Sequence, residues 1–135
     1  MIYFLDTNIC IFYINGTAPQ MSDKLESESF ENIKIPSMVV AELFYGVQKS
    51  QRRDENFKRY KEFVSLFETV VFDSNAAEHY ADIRVSLEKS GKPIGGNDMV
   101  IAAIVRANGG VLVTNNTKEF ERVEQLAVED WTKYV

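Results

Sequence analysis

The sequence predicts an α/β fold: a three-layer α/β/α sandwich whose central, mainly parallel sheet has four to five strands. Two observations predict it. Short apolar runs with no polar face, clearest at residues 2–5 and 111–113, read as strands buried on both sides, as in the middle of a parallel sheet. Between such runs lie longer segments with apolar residues at three- and four-residue steps, the spacing of helices that cover a sheet.

Taken in order, residues 2–5 stop at Asp6, Thr7 and Asn8, all N-cap types, and the apolar segment 9–14 follows as a first helix. Asn15, Gly16, Thr17 and Pro19 break it, and residues 20–30 read as a second, more polar helix. Residues 33–35 form a short strand. Pro36 and Ser37 then start a helix, with Ser37 expected as its cap and Val39, Val40, Leu43, Phe44 and Val47 at helical spacing. Residues 48–53 are polar and basic, after which Phe57, Tyr60, Phe63, Val64 and Phe67 mark an amphipathic helix. Residues 69–72 read as a third strand closed by Asp73 and Ser74. The long helix that follows is expected to carry Ala77, Tyr80, Ala81, Ile83 and Leu87 on its inner side. The turn segment 90–96 delivers Asn97 and Asp98 to the start of an apolar helix that runs to about residue 107. Gly109 and Gly110 end it, residues 111–113 form the fourth strand, and Thr114, Asn115 and Asn116 are its polar exit. A helical turn at 118–123 and a last strand at 126–128 complete a pattern read as a single domain, residues 1–135.

Composition narrows the function. Hydrophobic residues make up 45% and charged residues 26%, ordinary for a globular protein. Cys10 is the only cysteine, which excludes a disulfide framework or a cysteine-based zinc site; it is expected to pack as a small apolar residue. No run approaches the ~18 apolar residues of a membrane span, and the N-terminus lacks a basic leader, so a cytoplasmic location is expected. A net charge of −5 argues against a general nucleic-acid binder. It leaves room for an enzyme whose acidic cluster is neutralised by cations.

Three acids stand where the pattern would otherwise bury apolar atoms. Asp6 follows the first strand, Glu42 lies on the helix after the second, and Asp98 opens the helix leading into the fourth. In a parallel sheet all three lie at the carboxyl edge, where open α/β sheets bind ligands. Like charges gathered there repel unless a cation sits between them. Carboxylates without His or Cys suit Mg²⁺ or Mn²⁺, and a cation held that way activates water for phosphodiester hydrolysis. Each acid alone has a plainer reading: Asp6 as an N-cap, Asp98 as a first-turn acid favoured by the helix dipole, Glu42 as a solvated side chain. Their common edge favours one shared site.

The elements Leu5-Asp6-Thr7-Asn8, Val40-Ala41-Glu42-Leu43 with Gly46, Pro93-Ile94-Gly95-Gly96-Asn97-Asp98, and Thr114-Asn115-Asn116-Thr117-Lys118-Glu119-Phe120 resemble the PIN domain. More narrowly, they resemble the VapC ribonuclease toxins of toxin–antitoxin pairs, over essentially the whole chain. The resemblance implies a Mg²⁺-dependent endoribonuclease (Mn²⁺ as a substitute) in which Asp6, Glu42 and Asp98 hold the metal. Thr7, Asn8, Thr114 and Asn116 then act as the residues that orient those ligands. Many PIN domains carry a fourth acid where this chain has Asn116; Glu119, one helical turn on, is the nearest acid that can replace it, so one well-bound Mg²⁺ is expected. The resemblance also implies a VapB-like antitoxin partner, a homodimer and, from the Thr-Asn-Asn-x-x-Glu-Phe variant, a tRNA substrate. In that family the helices of the first half form the dimer and the antitoxin groove, to which Phe12, Tyr13, Phe44 and Tyr45 could contribute.

Two other readings compete. A receiver-like signalling domain also places an aspartate at a strand end, but needs paired acids after the first strand and a lysine after the last one, and neither is evident. A catalytically silent PIN-like RNA- or protein-binding module is compatible with Asn116, while an intact Asp6, Glu42 and Asp98 argues against it. For RNA contact, Lys92 and Lys118 near the acidic loops are the favoured residues. Arg52 and Arg53 are candidates from the basic stretch, against the alternative of a solvated helix face. His79, the only histidine, is assigned to the surface or to helix packing, the stripe from Phe57 to Phe67 to the core, and Trp131 to packing of the C-terminal tail.

Overall fold

In the computed structural model, which describes residues 1–133, short strands alternate with helices. The chain runs through β1 (Tyr3–Leu5), α1 (Thr7–Asn15), α2 (Pro19–Ser27), a 3-10 turn (Phe30–Asn32), β2 (Ile33–Pro36), α3 (Ser37–Lys49) and α4 (Arg53–Ser65). It continues through β3 (Glu68–Val70), α5 (Ser74–Ser90), α6 (Gly96–Ala107), β4 (Val111–Val113), α7 (Thr117–Phe120), β5 (Ala127–Glu129) and a 3-10 turn (Trp131–Lys133). The five strands form one sheet in the order β3-β2-β1-β4-β5. Every pairing is parallel, as the apolar strands require. Among the described residues no helix is long and apolar enough to cross a membrane.

The strand order places the site. The chain builds β2 and β3 on one side of β1, then returns to lay β4 and β5 on the other. The reversal creates a switch point between β1 and β4, outside whose carboxyl ends such sheets bind ligands. Phe4, Leu5, Leu112 and Val113 are fully buried there, each contributing about 1.5–3 kcal/mol by leaving water. Alternate side chains of β1 leave on opposite faces. Tyr3 meets Trp131 edge-on, ring centroids 5.0 Å apart, while the Phe4 ring lies against Gly110, where α6 turns into β4.

Capping explains several boundaries. Asp6 caps α1 by accepting the Thr7 N–H, and Asp73 caps α5 by accepting the Ala76 N–H. Gly16 and Gly91 end the same two helices in the left-handed region, at φ 65° and 70°, which glycine reaches without a Cβ penalty.

The structure corrects four details of the sequence reading. Ser37 is the first residue of α3 rather than its cap, and its hydroxyl accepts the Phe72 N–H from across the sheet edge. On α5 the inward stripe is Ala76, Ile83 and Leu87 with Tyr80 half-buried; Ala77 and Ala81 are exposed. An alanine on either side of the stripe satisfies the pattern equally, so composition could not choose the phase. The third strand ends at Val70, leaving Val71 and Phe72 exposed beyond an edge strand. Phe57 stands outside the core, 44% exposed, against Phe44. Cys10 is buried as expected. His79 joins helices, its Nδ1 accepting from Arg106 Nε at 2.9 Å.

Gly110 gives a direct test of the close approach between the α6–β4 turn and β1. A Cβ there would stand 2.4 Å from Phe4 Cε2 and 3.1 Å from the Ile2 carbonyl oxygen, and the fully buried Phe4 has no room to yield. Gly110→Ala is expected to destabilise the protein by about 1–3 kcal/mol. Gly46→Ala, in open space on α3, is expected to stabilise it by about 0.5–1 kcal/mol. Urea unfolding of the two variants checks both signs.

Candidate active site

Asp6 sits where β1 gives way to α1, and Thr114 where β4 ends. Leu5 is in register with Val113, so the next residue of each strand lies beside the other. The Asp6 N–H donates to the Val113 carbonyl at 2.9 Å, and the buried Thr114 hydroxyl donates to Asp6 Oδ2 at 2.6 Å. The other Asp6 oxygen accepts the Thr7 N–H at 2.8 Å. Asp6 therefore serves both as the cap of α1 and as a buried carboxylate with both oxygens held.

The remaining acids arrive on three helices. Glu42, in the second turn of α3, accepts the Thr7 hydroxyl at 2.7 Å through Oε1. Glu119, on α7, accepts the Asn116 side-chain amide at 3.1 Å, while the Asn116 backbone N–H donates to Thr114 Oγ1 at 3.0 Å. Asn8 donates to the Asn115 side chain at a long 3.5 Å. Asp98, in the first turn of α6, differs from the others: it has no hydrogen-bond donor among the described residues.

The electrostatics link the four acids. Burial, then the charges of Asp6, Glu42 and Glu119, push the Asp98 carboxyl up to about 6. Burial also raises Asp6, with Glu42 adding to the rise and the Thr114 and Thr7 hydrogen bonds opposing it. Beneath Asp6, the Cys10 thiol is held protonated by burial and by that same carboxylate. In this arrangement no three His, Cys, Asp or Glu side chains among the described residues form a ready metal-holding group; Asp6, Glu42 and Glu119 each rest on protein donors instead. Their all-oxygen chemistry fits a hard divalent cation, and the unsatisfied, proton-seeking Asp98 shows where positive charge is lacking.

The sequence-selected basic residues are further out. Lys92, Lys118, Arg52 and Arg53 are exposed, and Arg52 approaches Glu55 at 3.8 Å. Two residues of the site were not selected from sequence. Asn115 partners Asn8, and Arg122 donates to the Pro93 carbonyl at 3.0 Å, tying the segment after α7 to the loop that leads to Asp98. Asn115 was within reach as the middle of a polar strand exit; nothing local to Arg122 signals its contact.

The sequence profile described as the PIN domain matches residues 3–126. The chain belongs to the PIN-domain family. Ribonuclease VapC2 of Rickettsia felis is 42% identical over 134 residues, 98% of this chain and 100% of the relative. The tRNA(fMet)-specific endonuclease VapC of Shigella flexneri is 39% identical over 96% of this chain and 98% of its own. Among solved structures, VapBC2 of Rickettsia felis bound to a DNA fragment from their promoter matches with a TM-score of 0.91 and 41% identity, over 97% of this chain and 99% of the other. This PIN domain is thus of the VapC ribonuclease type, a group generally dependent on a divalent metal. The receiver-like alternative falls with that membership.

The raised Asp98 carboxyl carries a sign that can be measured. Because the folded state favours the protonated form, Asp98 costs no stability below its ordinary value of 3.8 and increasingly does so as pH rises towards about 6. In EDTA at neutral pH, Asp98→Asn is expected to be more stable than the parent by about 1 kcal/mol after solvent screening. The gap closes as pH falls from 6 towards 3.8. Thermal melts of both proteins across that window decide it; a gap independent of pH contradicts the coupling.

Proposed function

We propose that this chain, a single PIN domain over residues 1–135, is the toxin of a type II toxin–antitoxin system and a Mg²⁺-dependent endoribonuclease, with Mn²⁺ as a substitute. The observation that carries the reading is Asp98, without a donor at the switch point of the sheet and pushed up to about 6 by burial and then by the charges of Asp6, Glu42 and Glu119. Asp6, Glu42 and Asp98 would hold the cation. When bound, it supplies the positive charge that acidifies a water and neutralises the phosphate of the substrate.

The chain's own residues do the positioning. Thr114 and the Thr7 N–H fix Asp6, and the Thr7 hydroxyl aims Glu42. Asn116 braces Glu119, which takes the place of the missing fourth acid and is the carboxylate left to accept a proton from the attacking water. Asn8, through Asn115, ties the start of α1 to the strand exit. As the water oxygen bonds to phosphorus, a bridging P–O bond breaks and its oxygen leaves with a proton. Lys92 and Lys118, with Arg52 and Arg53, contact phosphates of the RNA.

The relative from Shigella flexneri is named for tRNA(fMet), which supports tRNA as the substrate class. The structural match to VapBC2 supports a VapB-like antitoxin as partner; a homodimer is the assembly we propose.

Purified protein incubated with total RNA in Mg²⁺ is expected to give discrete fragments, abolished by EDTA. Asp98→Asn should lower the rate at least about a hundredfold and Thr7→Val by about 10–100-fold. Cleavage that is equal in parent and Asp98→Asn contradicts the assignment and points to a contaminating nuclease.

A further inference from the structure

Outside the four-acid site, a cleft of about 520 Å³ lies between the C-terminal half of α5 and the segment after α7. Its walls include Ser86, Lys89, Ser90, Arg106, Arg122 and Glu124. Arg106 is fully committed: it donates to His79 Nδ1 and the His79 carbonyl, to the Glu124 carbonyl and, at 2.7 Å, to Asp82. It cancels Asp82 and serves as a rigid wall. Lys89 is different, exposed and in no ion pair among the described residues. Arg122 gives one N–H to Pro93 and keeps the rest of its guanidinium free. Ser86 Oγ has no protein hydrogen bond among the described residues. Against these stands Glu124, a lining carboxylate in no ion pair among the described residues. In a chain of net charge −5, the cleft itself is net positive.

Its place in the fold gives this charge direction. Lys89 and Ser90 are in the last turn of α5, immediately before the loop that carries Lys92 and opens α6 at Gly96, two residues before Asp98. Across the loop, Lys118 precedes Glu119 on α7. Lys92 and Lys118 are likewise exposed and in no ion pair among the described residues. Uncommitted cations thus stand on each segment that joins the acids to the cleft: Lys118 beside Glu119 on α7, Lys92 in the loop before Asp98, and Lys89 at the end of α5. On the opposite basic stretch Arg52 faces Glu55, and Arg59 is spent on the Ile14 carbonyl and Asn15.

We propose that this cleft is a second RNA-binding site: Lys89, Arg122 and Ser86 seat a backbone phosphate several nucleotides from the bond to be cut, and Lys92 and Lys118 line the path between. The proposal rests on the ribonuclease reading. Phosphate contacts of this kind fix register without reading sequence, and they let a small nuclease hold a large folded RNA in preference to a short strand.

The test measures binding, not cleavage, in the Asp98→Asn background, with unfractionated tRNA and with a tetraribonucleotide as probes over a range of salt. Lys89→Gln should weaken tRNA binding several-fold and reduce the log–log salt slope by about 0.7–0.9, and Lys89→Gln with Arg122→Gln by about twice that. Tetranucleotide affinity should not change. Because Arg122 also braces the loop at Pro93, the Lys89→Gln result stands as the cleaner arm. Unchanged tRNA affinity and slope in Lys89→Gln overturn the site, as does an equal loss for the tetranucleotide. If the parent binds no RNA of either kind, the ribonuclease reading itself fails and takes this site with it.

Discussion

The hydrogen bond from the Thr114 hydroxyl to Asp6 Oδ2 is the contact on which the rest of the structure turns. It joins the ends of the two central strands, which are 108 residues apart in the chain, at the point where the sheet order reverses. It exists only because β1 and β4 pair in one register, Leu5 opposite Val113, and because Gly110 lets the chain return to β4 close against Phe4. A buried carboxylate without donors costs several kcal/mol. Here the donors come from the N-terminus of α1 and from β4, so the same contacts that make the charge tolerable also fix where it points.

Around that fixed point the other acids are unequal. Glu42 and Glu119 each rest on a neighbouring donor, Thr7 and Asn116, while Asp98 has none, and burial together with the charges of its neighbours raises its carboxyl. The fold supplies enough hydrogen bonds to hold three carboxylates and leaves the fourth demanding positive charge. An environment that pushes one acid towards neutral pH while its neighbours are held by donors is the pattern expected of a functional site rather than of a structural ion network.

Much of this was legible in the sequence because burial on both faces forces strands to be apolar throughout, and because strand exits must cap the next helix. Residues 2–5 and 111–113 declare themselves as central strands for the first reason, and Asp6 as a strand exit for the second. The three acids at one edge followed from parallel topology alone. What stayed hidden depended on phase or on distance. Ala76 and Ala77 are indistinguishable by composition, and the end of β3 at Val70 is hidden because an edge strand has no second neighbour to demand burial of Val71 and Phe72. The Arg122–Pro93 and Arg106–His79 contacts span 29 and 27 residues with side chains that look like ordinary surface charges. Nor could the sequence reveal that Asn116 braces Glu119, since that pairing depends on how α7 leaves the strand.

The most direct test of the central claim, that the four acids share one field seeking a cation, is the titration of the Asp98 carboxyl by NMR, with and without Mg²⁺. The account predicts a midpoint near 6 in the metal-free protein and a fall of at least about one unit when Mg²⁺ is added. A midpoint close to 3.8 that Mg²⁺ does not move would mean that Asp98 feels neither its neighbours nor a cation. The shared site would then be wrong.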